Sequence, residues 1–95
     1  MSTVLSGPEV IQALKSLPGW SLNAHAIERT FEFPNFVEAM GFVNRIAEAA
    51  EAVNHHPDIT INYNKVKLSL TSHDSGGVTL RDLRMAGKIN EIGAG

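Results

Sequence analysis

Cysteine is absent from this chain of 95 residues, which excludes disulfides, thiol nucleophiles and zinc sites that contain cysteine. The 8 Lys and Arg residues form no cluster, and the net charge is −2. Because a nucleic-acid-binding surface normally needs a basic patch, we expect no direct contact with nucleic acid. No apolar stretch approaches the roughly 20 residues that span a membrane, and the N-terminus has no pattern typical of a secretory signal. We therefore expect a cytoplasmic protein with no membrane partner.

The composition favours a small folded protein. Hydrophobic residues make up 43% of the chain and charged residues 19%, which is neither a disordered nor a fibrous composition. The length predicts a single domain over residues 1–95. Because so short a chain buries little surface alone, it gains stability if it buries more in an oligomer.

Three helices are predicted from capping signals and apolar periodicity. Ser6, followed three residues later by Glu9, is typical of a capping box, and Pro18-Gly19 is expected to end the first helix. Asn35 is the predicted cap of the second helix, and Thr79 that of the third. The apolar stripe of the second helix is predicted to consist of Phe36, Val37, Met40, Val43, Ile46, Ala47 and Ala50.

Four strands are predicted from the alternation of polar and apolar residues. They cover residues 20–22, 27–33, 58–63 and 66–71. Together with the helices they give the order α-β-β-α-β-β-α. Two hairpins with helices between them are typical of an α+β fold, so we predict a four-stranded antiparallel sheet with the helices packed on one face.

Three of the four histidines lie at one end of the second predicted hairpin. If Asn64 and Lys65 form its loop, the register extended beyond the strands places His56 opposite His73. Directly opposed side chains have Cβ atoms roughly 4.5–5.5 Å apart, and His55 is adjacent in sequence. The pattern therefore predicts a site built from His55, His56 and His73; the alternative is a surface hairpin with scattered histidines.

Histidine has an ordinary pKa of about 6.5, so one imidazole can act as an acid and another as a base near neutral pH. Glu51 stands one helical turn before His55 and is a candidate to orient it; the alternative is an exposed acid at a helix end. For Asp82 the alternative interpretation is that its carboxylate only caps the N-terminus of a helix. Pro57 restricts the residue before it to an extended backbone, which suits the start of a strand.

Zinc bound by three histidines is the rival interpretation. Adjacent His55 and His56 point to opposite sides of an extended chain, which makes joint ligation awkward, so no metal is expected. The fourth histidine, His25, is interpreted as a solvated residue of the turn after the first strand.

The spacing of these residues resembles the signature of the pterin-4a-carbinolamine dehydratases. Glu51 is followed after three residues by His55-His56-Pro57, after five more by Tyr63, after nine more by His73 and after eight more by Asp82. A Pro-Gly-Trp triplet ending at Trp20 agrees as well, and the match shows no departure from the family pattern.

The resemblance implies an enzyme that dehydrates 4a-hydroxytetrahydropterin to quinonoid dihydropterin without a metal or other cofactor, and so regenerates the pterin cofactor of aromatic amino-acid hydroxylases. It implies that His55, His56 and His73 are catalytic, with the acid and the base unassigned. The residues implied to contact or border the pterin are Trp20, Glu51, Pro57, Ser72, Asp74, Ser75, Arg81 and Asp82.

The resemblance also implies a homodimer formed by sheet extension, or a homotetramer formed by helix packing. Some animal members of the family serve as dimerisation cofactors of a homeodomain transcription factor. The alternative function is therefore a non-catalytic, oligomeric interaction module on the same fold, against which the complete set of histidines argues.

Overall fold

A computed structural model describes residues 3–94 of the chain. The helices in this part are α1 (Gly7–Leu14), α2 (Phe36–Val53) and α3 (Leu80–Ala94), and the strands are β1 (Ser21–Asn23), β2 (Ala26–Glu32), β3 (Asp58–Asn62) and β4 (Lys65–Leu70). The strands form one antiparallel sheet in the order β1-β2-β4-β3. This arrangement confirms the predicted α+β fold and its order of elements.

The first helix begins where the sequence predicts and ends earlier. The Ser6 side chain accepts a hydrogen bond from the backbone of Glu9, whose carboxylate accepts one from the backbone of Ser6, so the capping box is confirmed. The helix ends at Leu14 rather than at Pro18-Gly19, because the last backbone N–H groups form tighter, three-residue turns there.

The hydrophobic core lies between the apolar face of the sheet and helices α2 and α3. The predicted stripe of α2 was partly wrong: Val37 is 78% exposed, whereas Phe42, which the prediction left out, is fully buried. Apolar residues surround the first turns of α2, so periodicity alone does not fix the buried face. Tertiary contacts do, because the Phe42 ring lies 4.7 Å from that of Phe31 and 4.9 Å from that of Phe33 between centroids.

The hairpin of β3 and β4 turns at Tyr63 and Asn64, one residue earlier than predicted. Ile61 therefore pairs with Val66, a register two residues away from the predicted one. Since side chains alternate with a period of two, every residue stays on its predicted face. Phe33 fixes this turn from outside the hairpin: its carbonyl accepts from the side-chain amide of Asn64 at 2.8 Å, and its N–H donates to the Asn64 carbonyl at 2.9 Å.

Between residues 3 and 94, no helix combines the length and the apolar character that a bilayer crossing requires.

Candidate active site

His55 is positioned by the residue that ends α2. Asn54 adopts a left-handed backbone conformation with φ 51° and ψ 45°. Its N–H donates to the Glu51 carbonyl at 3.3 Å, and the N–H of His55 donates to the Ala50 carbonyl at 3.1 Å. This pair of bonds is the Schellman pattern of helix termination. Asparagine tolerates the left-handed region well, so the Asn directly before the histidine pair is a sequence signal for the end of the helix.

The imidazole of His55 is held by a buried carboxylate. Nε2 of His55 lies 2.5 Å from Oδ1 of Asp82, in the first turn of α3. Oδ2 of Asp82 accepts hydrogen bonds from the Ser72 hydroxyl and from the Thr79 N–H, each at 2.9 Å. The Asp82 side chain is 0% exposed and that of His55 is 11% exposed. The arrangement joins the end of α2, the end of β4 and the start of α3.

Burial changes the interpretation of Ser72 and Asp82, which the resemblance placed against the substrate. Ser72 is 1% exposed and Asp82 0%, and protein groups use their polar atoms. Neither side chain is exposed, and their polar atoms contact each other, Thr79 and, through Asp82, His55. The backbone contact of Asp82 with Thr79 is also the predicted cap of α3, and the carboxylate therefore serves both purposes.

The Asp82 carboxylate determines the tautomer of the neutral His55 ring. A carboxylate accepts hydrogen bonds, so Nε2 carries the proton and Nδ1 is the nitrogen with the free lone pair. When Nδ1 takes up a proton, the adjacent carboxylate stabilises the resulting imidazolium. Nδ1 is thus the ring nitrogen of His55 that remains available to a further hydrogen-bond partner.

His56 bonds a different carboxylate. Its Nε2 contacts Oε2 of Glu51, and both side chains are largely exposed. The predicted pairing of Glu51 with His55 was wrong, because the reversal at Asn54 directs His55 to α3. Pro57 lies half-buried between His56 and the start of β3.

The predicted opposition of His56 and His73 was also wrong. Asp58 pairs with Ser69, so the observed register extended by two residues places His56 across from Thr71. His73 instead lies exposed in the turn that an isolated bridge between residues 72 and 77 closes.

His73 shares a concavity with the fourth histidine. This concavity of about 370 Å³ is lined by Asn23, Ala24, His25, Ala26, Thr71, His73 and Gly76. The Thr71 hydroxyl donates to the backbone carbonyl of His25 at 2.6 Å, which ties the β1–β2 turn to the start of the His73 loop. His25 is an exposed turn residue as interpreted, but its proximity to His73 was not foreseen because the two are far apart in sequence.

The loop after His73 is anchored by Arg81. Nη2 of Arg81 donates to Oδ1 of Asp74 at 2.5 Å and to the Ser75 hydroxyl at 3.5 Å. The hydrogen bond from Arg81 is the main cause that lowers the pKa of the exposed Asp74 below its ordinary value. The structure thus brings together Asp74, Ser75 and Arg81 from the predicted site.

A cavity of about 430 Å³ opens between α2 and α3 beside His55. Its lining consists of Ala49, Ala52, Val53, His55, Arg81, Arg84, Met85 and Lys88. His56 and His73 are not part of this lining, and Trp20 is buried elsewhere, where its Nε1 donates to Oδ1 of Asn90 at 2.8 Å. Within residues 3–94, no group of three or more His, Asp or Glu side chains is arranged to hold a metal ion.

Comparisons with known proteins agree with the resemblance in sequence. Residues 3–92 match the family model described as pterin 4 alpha carbinolamine dehydratase. A protein of Koribacter versatilis (strain Ellin345), named "Putative pterin-4-alpha-carbinolamine dehydratase", is 62% identical over 92 residues that cover 97% of this chain and 98% of the relative.

Two solved structures share the fold. One is a transcriptional coactivator/pterin dehydratase from Brucella melitensis, 39% identical, with a TM-score of 0.92 over 96% of this chain and 99% of that one. The other is a pterin dehydratase-like protein identified as a RuBisCO assembly factor in the alpha-carboxysome. It is 16% identical, with a TM-score of 0.64 over 78% of this chain and 86% of that one, and is similar in fold alone.

Proposed function

Since the chain belongs to the pterin-4-alpha-carbinolamine dehydratase family, we propose that it dehydrates a 4a-hydroxytetrahydropterin to quinonoid dihydropterin and water by histidine acid/base catalysis. The observation that carries this proposal is the His55 ring, held through Nε2 by the buried Asp82 carboxylate at the lining of a cavity of ligand size. Regeneration of a tetrahydrobiopterin-type cofactor in the cytoplasm is the role that we infer for the reaction.

The reaction needs two proton transfers and no external oxidant or reductant. The bond between C4a and the hydroxyl oxygen breaks, and the oxygen leaves as water after it gains a proton. A ring nitrogen loses a proton, and the electron pair of that N–H bond becomes the new C=N bond. Two groups that titrate near neutral pH satisfy both needs, and histidine is the side chain with that property.

His55 is proposed to exchange one of these protons through Nδ1, with Asp82 fixing the ring. His56 and His73 have solvent-exposed rings, which suits them to exchange the other proton with water. Because His55 and His73 line different concavities, the bound pterin has to reach from the rim of the first cavity to one of the exposed histidines.

A stopped-flow assay of freshly generated 4a-carbinolamine tests the proposal. His55→Ala and His73→Ala are each expected to slow dehydration by roughly 10²–10⁴-fold, the usual contribution of a general acid or base. Asn44→Ala is the matched control and is expected to keep the wild-type rate, because Asn44 is an exposed residue of α2 outside both concavities. Circular dichroism has to show an intact fold in each variant. If neither His55→Ala nor His73→Ala changes the rate, the assignment of the site is wrong.

A second candidate function is an oligomeric interaction module. It is favoured by the exposed apolar side chains of Phe36 and Val37 on α2 and by the position of β3 at an open edge of the sheet. A homodimer or homotetramer is proposed on the same grounds. Size-exclusion chromatography with light scattering measures the mass of the oligomer. A protein that oligomerises but does not accelerate dehydration would favour the module over the enzyme.

A further inference from the structure

Helix α3 directs three cationic residues to the cavity beside His55. Arg81, Arg84 and Lys88 all line it, and their spacing of three and four residues places them on one face of the helix. Side chains in this relation have Cβ atoms about 5–6 Å apart, so a single small anion can contact two of them. No Asp or Glu belongs to the lining, and the remaining residues apart from His55 are apolar.

The three cationic side chains differ in whether a carboxylate already forms an ion pair with them. Arg81 is bound to Asp74. Lys88 lies 3.8 Å from Glu91, and both side chains are mainly exposed, a kind of pair that contributes little. Arg84 has no carboxylate within ion-pair distance among residues 3–94, so the cavity keeps a surplus of positive charge.

One polar atom of a lining residue is unsatisfied. The Nε–H group of Arg81 is shielded from solvent and has no hydrogen-bond partner among the described residues. Buried donors are normally satisfied, and an exception calls for an explanation. Arg81 also lines the cavity, and because its Nε–H group is shielded from solvent, a ligand in the cavity reaches that donor only if the Arg81 side chain moves.

We propose that the cavity is a subsite for the side chain of the pterin substrate, and that this side chain carries an anionic group. The inference rests on the proposed dehydratase function and departs from it in the substrate, because the side chain of tetrahydrobiopterin itself carries no charge. The guanidinium of Arg84 offers a planar pair of donors that matches a phosphate or a carboxylate, and Lys88 adds a point charge one turn later. The apolar floor of Ala49, Ala52, Val53 and Met85 accommodates the carbon chain between the ring and the anion.

The test compares three carbinolamine substrates with the wild-type protein. One has a neutral methyl side chain, one a side chain ending in a phosphate monoester, and one a side chain ending in a glutamate carboxylate. At least one anionic substrate is expected to have about tenfold higher kcat/KM than the neutral one, mainly through a lower KM, as one charge-assisted hydrogen bond provides. The two anionic substrates distinguish phosphate from carboxylate as the preferred group.

Substitutions identify the residue that binds the anionic group of the substrate. Arg84→Gln is expected to lose about tenfold more kcat/KM for the preferred anionic substrate than for the neutral one. Arg45→Gln is the matched control, since Arg45 is an exposed arginine of α2 outside the cavity lining, and it is expected to leave all three rates unchanged. Inorganic phosphate alone, added as a competitor, should raise KM for the anionic substrates more than for the neutral one.

Binding of unreactive 7,8-dihydropterins with the same three side chains, measured by calorimetry, separates this inference from the proposed function. If the wild-type protein dehydrates all three substrates with equal kcat/KM, the subsite is refuted while the enzyme stands. If it dehydrates none, the enzyme is refuted, and binding then decides the subsite. About tenfold tighter binding of an anionic dihydropterin, lost in Arg84→Gln, supports the subsite, and equal binding of all three refutes it.

Discussion

The carboxylate of Asp82 lies 2.5 Å from Nε2 of His55 and is completely buried. Its other oxygen accepts from Ser72, the residue directly before His73. One buried side chain therefore fixes the position of two segments that carry proposed catalytic histidines. Such an orienting partner usually matters nearly as much as the residue that it orients.

Asp82→Asn is expected to lower kcat about 100-fold. The amide oxygen of Asn can still accept from Ser72 and from the Thr79 N–H, so the cap of α3 is kept. The amide nitrogen then faces Nε2 of His55 as a donor and favours the opposite tautomer, with the proton on Nδ1. Stopped-flow kinetics measure the loss, and ¹⁵N chemical shifts of the imidazole report the tautomer.

Ser72→Ala is the comparison for this prediction. It leaves the carboxylate and its bond to His55 in place, and it is expected to destabilise the fold by about 1–2 kcal/mol through the lost hydrogen bonds of the Ser72 hydroxyl with Asp82 and Thr79, with a smaller effect on kcat. An Asp82→Asn protein with wild-type kcat and an unchanged tautomer would show that Asp82 has only a structural role.

Asn54→Ala is expected to reduce both stability and activity. A left-handed backbone conformation costs an ordinary residue about 1–2 kcal/mol relative to Gly, and Asn54 has φ 51°. The strain is relieved if the end of α2 unwinds, which moves His55 away from Asp82. Urea denaturation is expected to show a free energy of unfolding about 1 kcal/mol lower, and kcat should fall as well.

Asn54→Gly is the matched control, because Gly adopts the left-handed conformation without strain. It is expected to keep kcat close to that of the wild type. Equal losses in the Ala and Gly variants would mean that the Asn side chain, rather than its backbone conformation, holds His55.

The predictable part of the fold is the part that local chemistry determines. The capping box at Ser6 and the alternation along β3 and β4 identify the elements and assign each strand residue to a face. The exact turn of the hairpin was not predictable from the hairpin itself, because the bonds between Asn64 and Phe33 fix it across a separation of 31 residues.

The candidate site was likewise predictable only in part. Its members were identified by residue type and by resemblance, but their partners were not. Glu51 bonds His56 instead of His55, because one left-handed residue reverses the chain between them. The contact between Asp82 and His55 joins two helices, and no local pattern specifies such a contact.

Arg81→Gln is expected to raise the pKa of Asp74 towards its ordinary value. The hydrogen bond from Arg81 lowers this pKa in the folded protein, so the folded state binds the proton more weakly than the unfolded state. The bond between Arg81 and the ionised Asp74 therefore stabilises the folded state fully above the unfolded pKa of about 3.9. This stabilisation is lost as the pH falls through the pKa of Asp74 in the folded protein.

NMR titration of the Asp74 carboxyl carbon in the wild-type and Arg81→Gln proteins measures the shift. Asp58, an exposed aspartate at the start of β3, serves as an internal reference that the substitution should not affect. Asp74 carboxyl groups that titrate at the same pH in both proteins would show that the bond to Arg81 does not persist in solution.

Dialysis against a chelator is expected to leave the dehydration rate unchanged. The Nε2 atoms of His55 and His56 contact different carboxylates, Asp82 and Glu51, and His73 lies in a separate concavity, so the three imidazoles do not converge on one point as zinc ligands must. Proton transfer by histidine requires no Lewis acid. Elemental analysis before and after dialysis verifies removal of metals, and stopped-flow kinetics give the rate. Activity that disappears on dialysis and returns with added zinc would overturn the acid/base assignment.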